Sequence, residues 1–166
     1  SMIPIIICTF MLGPVDASIV VLIRFIVKIL LAGSSSGYVG ELADILICLP
    51  TALIAGCLYK YTKFKHKTFY AFLSVSISWI LFSVISNAFI NIPFYGNLYG
   101  MEMVIGASKD AFRLISFGLI DNVNTSNYIF YYILFAVIPF NLMLSLVVIG
   151  ITIPVHKRLK VLYDNL

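Results

Sequence analysis

The chain has 166 residues, of which 61% are hydrophobic and 11% are charged, and its mean hydropathy is +1.06. A soluble domain of this length exposes a large surface to water and could not hide so much hydrocarbon. The composition therefore excludes a water-soluble domain and indicates a protein whose solvent is the lipid bilayer. The net charge of +4 does not indicate a nucleic-acid partner, because the basic residues cluster at the ends of apolar segments, as membrane topology requires.

Apolar segments divide the chain into candidate helices. The runs are long and continuous, without the alternation over about ten residues that strands of a membrane barrel show. We therefore predict an all-α fold, a polytopic membrane helical bundle that forms a single transmembrane domain over residues 1–166. The predicted segments are 3–12, 15–32, 41–59, 69–91 and 128–153, with an outer loop region at 92–127.

The first segment, 3–12, is too short to cross a bilayer, which takes about 20 helical residues. Gly13-Pro14 then interrupts the apolar run and predicts a turn. Hydrophobic sequence starts at Ile3 without a basic lead-in, so we expect a further helix upstream that would complete a six-helix bundle.

The second and third segments carry charges at positions where hydrocarbon makes a bare charge costly. Arg24 and Lys28 are four residues apart and share one helical face, and Glu41 and Asp44 open the next helix. A short connection joins the two helices, so we predict that the cations pair with the carboxylates. Whether Glu41 or Asp44 also contacts a ligand stays open at this point.

The fourth segment ends in polar residues. Asn87 and Asn91 are four residues apart, and Pro93 follows them and is predicted to end the helix. Tyr95 and Gly96 come next, which indicates a turn that places an aromatic ring near the membrane surface. The pattern fits either an interfacial aromatic belt with helix capping or one wall of a binding site.

The last segment contains the stretch "IPFNLMLSLV", residues 138–147, with a proline and an asparagine inside an apolar run. Pro139 removes one backbone hydrogen bond and frees a carbonyl. Asn141 has amide donors and acceptors that hydrocarbon cannot satisfy. The sequence supports two interpretations equally, a pocket floor and a helix-to-helix hydrogen bond.

Two basic clusters predict the orientation of the bundle. One lies within residues 60–67 and the other within residues 156–160, and two spans separate them. Both clusters therefore lie on one side, which the excess of Lys and Arg identifies as the cytoplasm. We predict a multi-pass protein of the cell membrane with a cytoplasmic C-terminus.

Motifs that carry catalysis are missing from the sequence. It contains no Gly-rich phosphate loop, no His-Glu-x-x-His and no Gly-x-Ser-x-Gly, and its cysteines and histidines lack metal-ligand spacing. We therefore predict no enzyme and no catalytic or metal site. Any pumping would have to draw its energy from a partner.

Several stretches in chain order resemble the substrate-binding S components of energy-coupling factor vitamin transporters, and the riboflavin-specific branch most of all. The matching elements are Gly13-Pro14, "GSSSG", Gly40-Glu41-Leu42-Ala43-Asp44, Leu49-Pro50-Thr51, "NAFINIPFYGNLYG" and "PFNLML". The likeness covers nearly the entire chain. It departs from the family in three places: Leu144 replaces a lysine, Asp44 stands where Asn is usual, and the first helix is not seen.

The resemblance implies a riboflavin-binding membrane subunit of a vitamin importer, without a cofactor of its own. Its implied partners are riboflavin as the transported ligand, a transmembrane coupling subunit, two ATPase subunits and the lipid bilayer. The implied binding residues are Asn141, Asn87, Tyr95, Glu41, Phe140 and Phe94. Two alternatives stay open: an S component for another vitamin or small molecule, prompted by Leu144, and a small membrane scaffold that does not transport.

Overall fold

The computed structural model describes residues 2–32, 38–63, 66–115 and 123–163. The described residues form helices and contain no strand, which confirms the all-α prediction. The α-helices are α1 (Met2–Met11), α2 (Pro14–Ala32), α3 (Val39–Tyr61), α4 (Lys67–Ser86), α5 (Ile92–Tyr99), α6 (Met101–Ile115), α7 (Thr125–Tyr132) and α8 (Ile138–Tyr163). Two wide π-helical turns, Asn87–Asn91 and Ile133–Val137, join α4 to α5 and α7 to α8.

Three helical runs of the described chain are long and apolar enough to cross a membrane. They are Val39–Tyr61, Lys67–Tyr99 and Thr125–Leu159. Helix α1 is apolar but has only 10 residues. Helix α2 has 19 residues and carries Asp16, Arg24 and Lys28 among its aliphatic side chains. The arrangement is that of a multi-pass membrane protein.

Helix α1 packs into the bundle beside α2, α3 and α8. Its Phe10 ring lies 4.9 Å from the ring of Tyr59 and 4.7 Å from that of Phe72. At its other end, Met2 Sδ lies 3.1 Å from the thiol of Cys48, midway along α3. Helix α1 therefore fills the half of the bundle that extends from Cys48 to Tyr59.

The segment 92–127 differs from the loop region that the sequence predicts. Helices α5 and α6 occupy most of it, while residues 116–122 lie outside the described part. The prediction that Pro93 ends the helix is wrong, because the chain continues in helical form to Tyr99 and Gly96 is helical too. The break comes at Gly100, whose φ of 84° is readily available only to glycine.

Candidate ligand-binding site

A cleft lies in the half of the bundle that α1 does not fill. Its volume is about 630 Å³, which falls within the range of small-molecule sites. Apolar and aromatic side chains form most of its lining, among them Ile47, Phe135, Val137, Pro139, Phe140 and Met143. Ser83, Asn87, Asn141 and Tyr132 add polar atoms, and no described lining residue carries a formal charge. Such a cleft suits a neutral, largely apolar ligand.

The two π-helical turns have the same local cause. Each one is followed by an isoleucine and then a proline. The isoleucine N–H donates to the carbonyl five residues earlier, from Ile92 to Asn87 O and from Ile138 to Ile133 O. In a regular α-helix the proline ring would clash with the carbonyl four residues earlier, and the wider turn relieves this clash. The two turns contact each other, and they border the cleft.

Asn141 lies just after the second π-helical turn and lines the cleft. Its Nδ2 donates to the carbonyl of Val137 at 2.8 Å, and its Oδ1 accepts from the hydroxyl of Ser83 at 3.1 Å. The second of these bonds connects α8 to α4. The two interpretations of Asn141 therefore both describe it, because it bonds to a neighbouring helix and also lines a cleft.

Asn87 begins the first π-helical turn and lines the same cleft. Its Nδ2 donates to the carbonyl of Ser83 at 2.8 Å, and its Oδ1 accepts from Asn91 Nδ2 at 3.2 Å. A primary amide has two N–H donors and two acceptor lone pairs. Protein contacts therefore use one donor and one lone pair of Asn87, and the same holds for Asn141. Within the described part of the chain, each amide therefore has one donor and one acceptor that no protein group uses.

Charged side chains of α2 and α3 form a cluster of their own. Arg24 Nη2 lies 2.8 Å from Asp44 Oδ2, and Lys28 Nζ lies 3.8 Å from Glu41 Oε1 and 3.9 Å from Asp44 Oδ2. The predicted pairing of cations with carboxylates is confirmed. Glu41 is buried within this cluster and does not line the cleft.

The match to a protein-family model decides the class of protein. Residues 1–156 match the model that describes the substrate-specific component of ECF transporters, that is, energy-coupling factor transporters. The chain belongs to this family. Searches of curated proteins and of solved structures find no significant match. An ECF substrate-specific component is a transport protein that binds a substrate rather than an enzyme, so the prediction of no catalysis is confirmed.

The structure does not place all of the predicted binding residues of this ECF component together. Asn141, Asn87 and Phe140 line the cleft, although Phe140 is 66% exposed. Tyr95 does not line it and instead stacks on Tyr99, with ring centroids 6.2 Å apart. Phe94 meets the edge of Tyr95 and also lies outside the lining. For all six residues, a role in binding stays a prediction.

Several lining residues of the ECF component were not identified from the sequence, among them Ser83, Tyr132 and Phe135. Ser83 precedes Asn87 by four residues and shares its helical face, but this spacing alone does not distinguish it from the other serines of α4. Tyr132 and Phe135 precede Asn141 within an aromatic run that is equally typical of a membrane-facing surface. Leu144 does not line the cleft.

Proposed function

We propose that this ECF substrate-specific component binds riboflavin in the cleft beside Asn141 and Asn87. One observation carries the proposal: two amides, each with a spare donor and a spare acceptor, line an apolar cleft in which no described side chain is charged. Riboflavin is neutral and planar, and the edge of its ring alternates carbonyl acceptors with an N–H donor. The amides match that edge without the desolvation that a full charge would require.

The lining also suits the rest of the ligand. Phe135, Phe140 and Tyr132 can cover the faces of a ring system, since aromatic side chains contribute a large apolar contact area. In the proposed transport cycle the component captures the vitamin from outside the cell. A transmembrane coupling subunit and two ATPase subunits supply the energy, and the C-terminus of the component is cytoplasmic.

The test is the purification of the 166-residue chain from cells that are supplied with riboflavin. We expect a yellow protein with flavin absorption bands, and the bound flavin should be released when the protein is denatured. Titration of the flavin-free protein with riboflavin should quench flavin fluorescence. A colourless protein that does not quench the fluorescence of added riboflavin contradicts the proposal.

Two related ligands sharpen this test. Flavin mononucleotide carries a phosphate that the described lining does not neutralise, so it should bind more weakly than riboflavin. A riboflavin that is methylated on the ring N–H loses the donor of the edge and should also bind more weakly. If all three bind equally, the amides do not recognise the ring edge.

A second candidate function rests on the contacts of Asn141. Its amide already bonds to Ser83 and Val137, as it would in a membrane scaffold that binds no ligand. A third candidate is a component specific for another vitamin; the resemblance suggests it, because Leu144 stands where the riboflavin-specific branch has a lysine, although Leu144 does not line the cleft. The scaffold predicts a colourless protein, whereas the other component predicts that a different small molecule is released on denaturation.

A further inference from the structure

Ser83 connects the two amides of the cleft. It lies on α4 with 1% of its surface exposed. Its hydroxyl donates to Asn141 Oδ1 at 3.1 Å, and its backbone carbonyl accepts from Asn87 Nδ2 at 2.8 Å. One buried residue thus contacts both of the amides that line the cleft.

The neighbours of Asn141 determine the orientation of its amide. The carbonyl of Val137 can only accept a hydrogen bond, so the amide must turn its Nδ2 toward that carbonyl, at 2.8 Å. Its Oδ1 then points toward α4, and this oxygen can bond only to a hydrogen-bond donor. The hydroxyl of Ser83 is that donor. The amide is therefore held from both sides, by an acceptor on its own helix and by a donor across the interface.

We infer that Ser83 is a positioning residue of the binding site, whose hydroxyl holds the Asn141 amide with one N–H and one oxygen lone pair directed to the cleft. A ligand whose edge places an acceptor beside a donor matches this arrangement, and an anionic ligand does not. The identity of the ligand rests on the proposed function. The contact between Ser83 and Asn141 stands independently of it.

The chain contains a matched control on the same helix. Ser86 lies three residues after Ser83 and is also 1% exposed. Its buried hydroxyl has no hydrogen-bond partner among the residues that the structure describes. Replacement of Ser86 by alanine therefore removes the same oxygen from the same helix without changing the support of either amide.

The first readout is affinity for riboflavin, measured by quenching of flavin fluorescence on the purified 166-residue chain. Ser83→Ala should weaken binding about tenfold, since it removes a buried hydrogen bond to a ligand-contacting amide. Ser83→Cys, which donates more weakly, should also weaken binding. Ser83→Thr retains the hydroxyl and should bind within about threefold of the parent, and Ser86→Ala within about twofold.

The second readout needs no ligand. In protein labelled with ¹⁵N at asparagine, the side-chain NH₂ signals of Asn141 are identified by their loss in Asn141→Leu. We expect Ser83→Ala to move these signals, because the oxygen of the amide loses its donor. Ser83→Thr and Ser86→Ala should leave them near their positions in the parent.

The outcomes separate the inference from the proposed function. Unmoved Asn141 signals in Ser83→Ala overturn the inference, and so does an equal loss of affinity in Ser86→Ala, which would make both serines packing residues. If the parent fails to bind riboflavin while the Asn141 signals respond only to Ser83, the positioning role stands and the proposed ligand is wrong.

Discussion

Arg24 of α2 forms a 2.8 Å ion pair with Asp44 of α3 inside a sequence that is otherwise strongly apolar. Each of the two side chains is about one third exposed or less. Lys28 and Glu41 lie beside the pair, so two cations face two carboxylates across the interface between α2 and α3. Helix α2 carries three charged residues, Asp16, Arg24 and Lys28, and this cluster connects it to α3.

Removal of one member of this pair should destabilise the protein strongly. Arg24→Met leaves Asp44 with only Lys28, whose Nζ is 3.9 Å away, and the loss of the closer cation from a partly buried pair should cost roughly 1–3 kcal/mol, between the values for exposed and buried pairs. We expect a lower melting temperature in detergent, with partial recovery in the double variant Arg24→Met/Asp44→Leu. Lys157→Met, which removes one exposed cation from α8, is the control for net charge. A melting temperature for Arg24→Met equal to that of the control would show that the pair contributes little.

Close packing between α3 and the start of α2 should depend on Gly56. A Cβ at this position would lie 2.9 Å from the Cα of Pro14 and 3.0 Å from the Thr9 methyl group. Gly56→Ala should therefore lower stability by about 1–3 kcal/mol, because the proline backbone cannot move aside. Gly150→Ala is the matched control, since a Cβ there meets nothing within 4 Å. Equal melting temperatures for the two variants would contradict the packing described here.

The orientation in the membrane can be tested with single cysteines in a background that lacks Cys8, Cys48 and Cys57. Lys65, within the basic cluster 60–67, lies outside the described residues, so its exposed neighbour Lys63 is the better position. Asn97, exposed near the end of α5, lies at the opposite end of the run Lys67–Tyr99. An impermeant thiol reagent added to intact cells should label Asn97→Cys and leave Lys63→Cys unlabelled. Labelling of both from outside would exclude the predicted topology.

The sequence predicts the helical class, the approximate segments and the ion pairs, because each follows from a local pattern. A spacing of four residues places Arg24 and Lys28 on one helical face, regardless of the tertiary structure. For Pro93, a local pattern is not sufficient to predict the structure. Its clash can be relieved by ending the helix or by widening one turn, and the widened turn Asn87–Asn91 packs against its counterpart Ile133–Val137. The wider turn at Asn87–Asn91 thus occurs together with a tertiary contact, which cannot be read from the sequence.

The candidate site likewise contains residues that the sequence identifies and a residue that it does not. Asn141 and Asn87 could be identified from the sequence because an amide in an apolar run stands out. Ser83 could not, because α4 contains several serines, and serine in a membrane helix often bonds only to its own backbone, as Ser74 does here with the carbonyl of Ala71. The partner across the helix interface distinguishes Ser83, and only three-dimensional structure reveals that partner.

The replacement Asn141→Leu tests most directly whether this ECF component recognises its ligand through the amides of the cleft. Leucine is well tolerated in a membrane helix, so folding and the melting temperature should be retained. Leu142→Ala, at an adjacent position that does not line the cleft, is the control. With riboflavin as the probe, we expect the dissociation constant of Asn141→Leu to rise by a factor that corresponds to about 1–3 kcal/mol, and that of the control to stay unchanged. Equal binding by the parent and Asn141→Leu would show that Asn141 only packs against α4 and would contradict the proposed site.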